Sequence, residues 1–206
     1  TRVRSSAASD VYKRQEIDMV YVGIKPDWHE YTNELFERFE IDSRRVKVID
    51  GGADRNGTVM NIAEAIVAEH GKNEGDIILT HDAVRPFVTE KIIKDNIEAM
   101  REHSACGTYM PAADTIIRSD GEKVRETLNR SELYQAQTPQ TFRFGDLRRN
   151  YYSLSEEQKK KLTDTCSVFT ACNEDIYLVV GDALNFKITT DSDLKMANAL
   201  AELSEK

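Results

Sequence analysis

No apolar run in this chain approaches the ~18 residues that a membrane-spanning helix requires. That removes a helical membrane protein from consideration. The net charge is −8, and Lys and Arg form no stripe. A general nucleic-acid binder, which relies on such a stripe, is therefore not expected. There are only three cysteines, Cys106, Cys166 and Cys172, and none sits in a paired spacing. A disulfide framework and a CxxC site are both excluded, and an odd count of thiols fits a reducing cytoplasm. The four histidines, His29, His70, His81 and His103, show no metal-ligand spacing, and no spacing supports a Ser-His-Asp arrangement. Internal repeats and low-complexity linkers are missing as well. Residues 1–15, "TRVRSSAASDVYKRQ", contain no glycine and one acid, and have no convincing amphipathic face. They resemble a transit peptide only superficially and are read as a foreign or artefactual tail.

What remains is a chain of 206 residues, 40% hydrophobic and 31% charged, enough for one sizeable core. Strand-like and helix-like segments alternate through its first half. "IDMVYVGI" (17–24) and "RVKVID" (45–50) read as strands. Between them, "WHEYTNELFERFE" (28–40) carries Trp28, Tyr31, Leu35, Phe36 and Phe39 at helical spacing, an expected core stripe. Thr58 is expected to cap a helix bearing Val59, Ile62, Ala63, Ile66 and Val67, with Gly71 past its end. "DIILTH" (76–81) reads as a strand, and Thr89 as the cap of a helix carrying Ile92, Ile93, Ile97 and Met100. This alternation predicts a parallel α/β sheet. The second half differs. Asp120-Gly121 lies between two β-like runs, a hairpin signal. Helices are expected at 144–153 and 155–171, a strand at 176–180, and a last helix from Thr190. Thr190 and Asp193 would form a capping box there, with Leu194, Ala197, Ala201 and Leu200 or Leu203 facing inward.

In an open α/β sheet, ligands sit beyond the carboxyl ends of strands. "THDAVRPF" empties a short apolar strand into Asp82 and Arg85. Asp82 suits Mg²⁺, which takes one or two carboxylates plus phosphate oxygens. Arg85 suits a phosphate clamp or a loop buttress. A purely structural Asp–Arg pair fits the same residues. "GGADRNGT" (51–58) also leaves a strand and opens a helix, where backbone N–H groups can meet an anion. A plain βα turn reads the same way. Lys187 lies between Phe186 and Ile188 in "NFKITT", so it should face away from both.

Together, "GGADRNGTV", "HDAVRPF", "DTI…NRSELYQAQTPQTF", "LTD" and "NFKITTDSDL" resemble, in order, the motifs of the IspD/TarI cytidylyltransferase family. The resemblance covers residue 16 to about residue 204. It implies a Rossmann-like nucleotidyltransferase sheet with helices on both faces, and a protruding β-arm at about 112–133 through which a homodimer forms. The activity implied is transfer of CMP from CTP to a sugar-alcohol phosphate, with Mg²⁺ and release of pyrophosphate. By motif, Gly52 and Thr58 resemble cytidine-binding positions. Asp82 resembles the metal-holding acid, and Arg85 its neighbour in the nucleotide site. Thr115, Arg130 and Thr163 resemble the residues that receive the substrate phosphate, with Arg130 reaching from the arm into the partner subunit. Lys187 resembles the lysine that stabilises charge on the α-phosphate. "YYSLSEEQKKKLTDTCSVF" is similar to the ribitol 5-phosphate branch, with CDP-ribitol as product for teichoic acid or capsule. The methylerythritol phosphate branch of isoprenoid synthesis is the alternative.

One departure stands out. The family begins with a strand and an "AAGxGxRM" loop followed by a lysine, which wraps the triphosphate. Nothing like it occurs in these residues. The chain is therefore expected to lack the first βα unit, to leave a gap or open edge beside 76–81, and to be a poor catalyst as it stands. Three lost charge-assisted phosphate contacts would cost roughly 5–9 kcal/mol as an upper figure. A non-catalytic nucleotide-binding or scaffold protein is the rival from another class.

Overall fold

The computed structural model describes residues 17–204, so residues 1–15, set apart above as a tail, lie outside the described residues. Two strands open the fold. β1 (Val20–Ile24) and β2 (Val46–Asp50) run parallel, with Val20 opposite Val46 and Ile24 opposite Asp50. The crossover between them carries α1 (His29–Arg38). α2 (Arg55–His70) follows β2 and stops at Gly71, whose φ of 79° is a left-handed conformation that glycine adopts without strain.

The larger sheet has four strands in the order β3, β7, β4, β8. These are β3 (Ile77–Thr80), β4 (Ala105–Pro111), β7 (Tyr134–Arg143) and β8 (Tyr177–Val180). β7 runs antiparallel to both β3 and β4, while β4 and β8 are parallel. α3 (Glu90–Ala99) begins at Thr89, whose hydroxyl accepts from Ile92 N–H, as expected. It covers the face bearing Cys106 and Thr141, where buried Asn96 accepts from the Thr141 hydroxyl at 3.2 Å. α4 (Phe144–Ser153) and α6 (Cys166–Ala171) cover the opposite face with Phe144, Leu147 and Phe169. Phe142 and Phe169 stack there at 5.1 Å between centroids, and both are fully buried. Helices thus flank this sheet on both faces.

Residues 114–128 form the expected hairpin, β5 (Ile117–Ser119) and β6 (Val124–Thr127), paired only with each other. Asp120 Oδ1 accepts from the N–H groups of Glu122 and Lys123, and Gly121 takes a φ of 100° in the turn. The ribbon is exposed along its whole length, Val124 by 63%.

Several expectations need correction. Parallel pairing is limited to β1–β2 and β4–β8 among the described residues, and the larger sheet is mixed; β3 has a ladder on one side only, with antiparallel β7, and no described ladder joins it to β1. β3 is therefore an edge among the described residues, with Ile77 exposed. α2 begins at Arg55 rather than after Thr58, because the Asp54 carboxylate accepts from Gly57 N–H at 2.7 Å and caps the helix earlier. The aromatic stripe of α1 is not core. Trp28 and Tyr31 are 55% and 52% exposed, and Leu35 and Phe36 only half-buried. The helix expected at 155–171 is two short ones, α5 (Glu156–Lys159) and α6, parted by a loop that contains Thr163. In α7 (Asp191–Ser204) the Thr190–Asp193 capping box is present, but Leu194 and Leu203 are exposed and Ala197 alone of the five is buried.

Candidate active site

The β2–α2 loop is the first component. Gly51 N–H donates to the Ile24 carbonyl at 2.6 Å, tying the ends of β1 and β2 together. Gly52 then passes so close to the start of α2 that an added Cβ would lie 2.4 Å from the Gly57 carbonyl carbon. Only glycine allows that approach. Thr58 Oγ1 accepts from Gly52 N–H and donates to the Asp54 carbonyl, both at 2.9 Å. Thr58 therefore clasps the loop from inside the helix.

The second component is the segment after β3. His81 is held at both ring nitrogens. Nε2 lies 3.0 Å from the Arg85 carbonyl, which can only accept, so Nε2 carries the proton. Nδ1 lies 3.0 Å from the Thr138 hydroxyl on β7. Burial holds this imidazole below its ordinary pKa, so it is neutral at pH 7. The base beside Asp82 is a half-buried anchor. Asp82 N–H donates to the same Thr138 hydroxyl at 3.0 Å, which fixes the backbone of the acid.

Three cations ring the Asp82 carboxylate. Arg55 Nε is 3.2 Å from Oδ1, Lys187 Nζ is 3.2 Å from Oδ2, and Arg85 Nε is 3.6 Å from Oδ2. Partial burial would raise the Asp82 pKa, but Arg55 and Lys187 outweigh it and hold the carboxyl below its usual range. Arg85 is mainly a buttress. Its Nη1 donates to the Asn185 carbonyl at 2.8 Å and its Nη2 to the Ala136 carbonyl at 3.4 Å. Its Nε is beyond hydrogen-bonding distance of Asp82 and has no hydrogen-bond partner among the described residues, which leaves one buried donor for a ligand oxygen.

Lys187 arrives from the segment after β8. This segment joins no strand, yet the expected alternation holds. Phe186 stacks on Phe87 at 5.7 Å, Ile188 N–H donates to the Val84 carbonyl, and Lys187 turns to Asp82. Buried Asn185 donates to the Thr138 carbonyl at 2.8 Å and locks the segment to β7. The Lys187 side chain is 44% exposed against 11% for Arg85, so it is the cation more open to a ligand.

Thr163 is brought near this cluster, and the arm residues are not. Thr163 is exposed beside Thr165, whose hydroxyl accepts from Arg55 Nη1 at 2.6 Å. Arg130 stands at the base of the arm, where Nη1 donates to the Ala113 carbonyl at 2.7 Å. Thr115 is exposed in the same region. Among the described residues no hydrogen bond or ion pair links either to Asp82. The sequence reading missed Arg55, Thr138 and Thr165. Arg55 was visible as the one cation in "GGADRNGT", and Thr138 sits inside "QTPQTF". Nothing local marks Thr165, because its partner is 110 residues away.

As a metal site, the cluster offers one ionised carboxylate, and no group of three His, Cys, Asp or Glu side chains gathers anywhere among the described residues. That donor set fits Mg²⁺ held jointly by Asp82 and by phosphate oxygens, and does not fit an all-protein cage. Concavities of about 330 and 530 Å³ flank β8 instead, lined by residues such as Tyr134 and Glu174 or Asp95 and Tyr177 that the cluster does not use.

Comparison with known proteins gives the family. The sequence profile of 2-C-methyl-D-erythritol 4-phosphate cytidylyltransferase (IspD) matches residues 3–202. The ribitol-5-phosphate cytidylyltransferase of Lactiplantibacillus plantarum is 43% identical over 185 residues, covering 90% of this chain and 79% of that protein. Two solved structures superpose closely. The 2-C-methyl-D-erythritol 4-phosphate cytidylyltransferase of Francisella tularensis gives a TM-score of 0.82 at 26% identity, covering 97% of this chain and 88% of the other. The 4-diphosphocytidyl-2C-methyl-D-erythritol synthase of Anaerococcus prevotii gives 0.79 at 27% identity, covering 96% and 84%. The profile spans nearly the whole chain, and the chain belongs to the IspD family of cytidylyltransferases.

Proposed function

We propose that the site transfers CMP from CTP to D-ribitol 5-phosphate, forming CDP-ribitol and pyrophosphate. The observation that carries this reading is the gathering of Arg55, Arg85 and Lys187 around one ionised Asp82. A phosphate oxygen of the acceptor attacks the α-phosphorus of CTP, and the bond to the β-phosphate bridging oxygen breaks. Two anions have to meet, so positioning and positive charge carry the catalysis and no protein nucleophile is needed. Gly52 and Thr58 hold the nucleoside end. Thr163 receives the acceptor phosphate together with Thr115 and Arg130, Arg130 reaching from the arm into the partner subunit's site, and Lys187 leaves Asp82 to neutralise the α-phosphate. Asp82 would then hold Mg²⁺, which supplies charge neutralisation on the phosphates.

Ribitol 5-phosphate is preferred as acceptor because the Lactiplantibacillus relative bears that name at 43% identity, against 26% and 27% for the methylerythritol enzymes of known structure. The second reading, methylerythritol phosphate, draws on the family profile itself. We place the reaction in the cytoplasm, which suits three unpaired thiols. The arm supports a homodimer, because an isolated two-stranded ribbon does not hide its own apolar side chains, here Ile117 and Val124. Sedimentation as a strict monomer at micromolar concentration would count against that.

Pyrophosphate release with CTP, Mg²⁺ and each acceptor tests the reaction. We expect the faster reaction with ribitol 5-phosphate. Faster turnover of methylerythritol phosphate would reverse the choice of acceptor. No turnover of either acceptor would favour a non-catalytic nucleotide-binding protein.

A further inference from the structure

We propose that Arg55 is a positioning residue that sets the nucleotide side and the acceptor side of the site at one fixed spacing. The inference rests on the cytidylyl-transfer reading above and adds a residue to it. Arg55 is the first residue of α2, immediately after the loop that holds Gly52. One guanidinium spans two otherwise separate pieces of the site. Nε meets Asp82 Oδ1 at 3.2 Å, and Nη1 meets Thr165 Oγ1 at 2.6 Å.

Both far ends are themselves held. Asp82 is fixed through its N–H to Thr138. The loop at 163–165 is fixed because Asp164 Oδ2 accepts from Gln140 Nε2 at 2.6 Å, and the Asp164 carbonyl accepts from Asn56 Nδ2 at 3.3 Å. Thr165 is buried. A planar guanidinium holds donors on separate nitrogens at set angles, so it defines the separation of two acceptors; a lysine carries its donors on one nitrogen and does not reproduce that span. Arg55 also decides which carboxylate oxygen is offered to a ligand. It occupies Oδ1, so Oδ2, shared with the more exposed Lys187, is left for exchange. Arg55 need not touch the reacting phosphorus to govern the rate, because misplacing the acceptor phosphate by an ångström is costly.

Steady-state pyrophosphate release by the protein, with CTP, Mg²⁺ and ribitol 5-phosphate, tests this in Arg55→Gln, Arg55→Lys, Thr165→Val and the double variant Arg55→Gln/Thr165→Val. Arg55→Gln should lower kcat about 30- to 100-fold while each KM stays within about threefold. Arg55→Lys should recover less than about a tenth of the lost rate, since charge alone does not restore the span. Thr165→Val, which keeps the Asp82 ion pair, should lower kcat about 3- to 10-fold, and the double variant should be no slower than Arg55→Gln alone. Should Arg55→Gln not fold, Thr165→Val and Arg55→Lys still decide the matter. A kcat for Arg55→Gln within threefold of the parent overturns the proposal, as does full rescue by lysine, or strictly multiplicative effects in the double variant. A parent that turns over neither acceptor overturns the reading of the reaction itself, and this inference with it.

Discussion

The four-stranded sheet and the β1–β2 sheet are built to different standards of closure. The four-stranded sheet is covered on both faces, and Phe142, Phe144, Leu147, Val168 and Phe169 are sealed between β7, α4 and α6. The β1–β2 sheet is crossed by α1, where Trp28 at the helix start and Tyr31 within it remain largely in solvent. The candidate active site lies where these regions meet. Arg55 comes from the side of the small sheet, Asp82 and Lys187 from the side of the large one. The well-packed region therefore supplies rigidity to the acid and its lysine, and the nucleotide loop is attached to it by ionic contacts and by the upper part of α2. Met60 and Ala63 on that helix are buried in the large core, which is how the nucleotide loop inherits a fixed position.

The sharpest way to break this contrast is to cut one aromatic from each region. Phe142→Ala should cost about 3–5 kcal/mol of stability, since a fully buried ring leaves a cavity that the stacked Phe169 cannot fill. Trp28→Ala should cost less than about 1 kcal/mol, in keeping with its exposure. Chemical denaturation of both variants checks this, and equal losses would show that the two sheets are equally closed.

A smaller effect is expected at the seam. Asp82→Asn leaves Arg55, Arg85 and Lys187 facing one another without their anion. Stability should fall by about 1–3 kcal/mol, the range for losing hydrogen bonds to a charged group. Hydrogen exchange should speed up at residues 51–58 and 185–188 more than in β4 and β7. Uniform acceleration across both sheets would mean that the carboxylate does not act as the link between them.

The smallest effect is a pH dependence. Burial lowers the His81 pKa in the folded state. The unfolded chain then binds the proton more readily, so the stability this histidine contributes is full above its unfolded pKa of about 6.5 and declines as pH falls below it. The lowered Asp82 pKa acts in the same direction at lower pH, with its contribution lost as pH falls through the carboxylate range. Melting temperature should therefore drop from pH 7 to pH 5, and His81→Gln should flatten that slope. An unchanged slope in His81→Gln would remove this histidine as the source.

Much of the fold is written in local pattern. The Thr89 cap, the Gly71 stop, the Asp120-Gly121 turn and the Thr190–Asp193 box each depend on groups within a few residues of one another, so short-range chemistry is enough to specify them. The same holds for the alternation that sends Lys187 away from Phe186 and Ile188. Asp54 displaced Thr58 as a cap for an equally local reason: its carboxylate accepts from Gly57 N–H three residues on, which starts the helix before Thr58 is reached. The aromatic stripe of α1 shows the opposite limit. Helical spacing marks a face, but whether that face is buried depends on what lies opposite, which spacing does not contain.

By itself the sequence determined where strands empty into charged residues, which motifs place the chain in its family, and that Asp82, Arg85 and Lys187 were worth watching. Only the tertiary structure decided that Arg85 props up backbone carbonyls, that His81 is a neutral anchor held at both ring nitrogens, and that Arg55 joins Asp82 to a threonine 110 residues further on. The physical reason is that a side chain's role follows from the partners that meet it. Those partners are assembled by packing between elements far apart in the chain, where no periodicity or spacing records them.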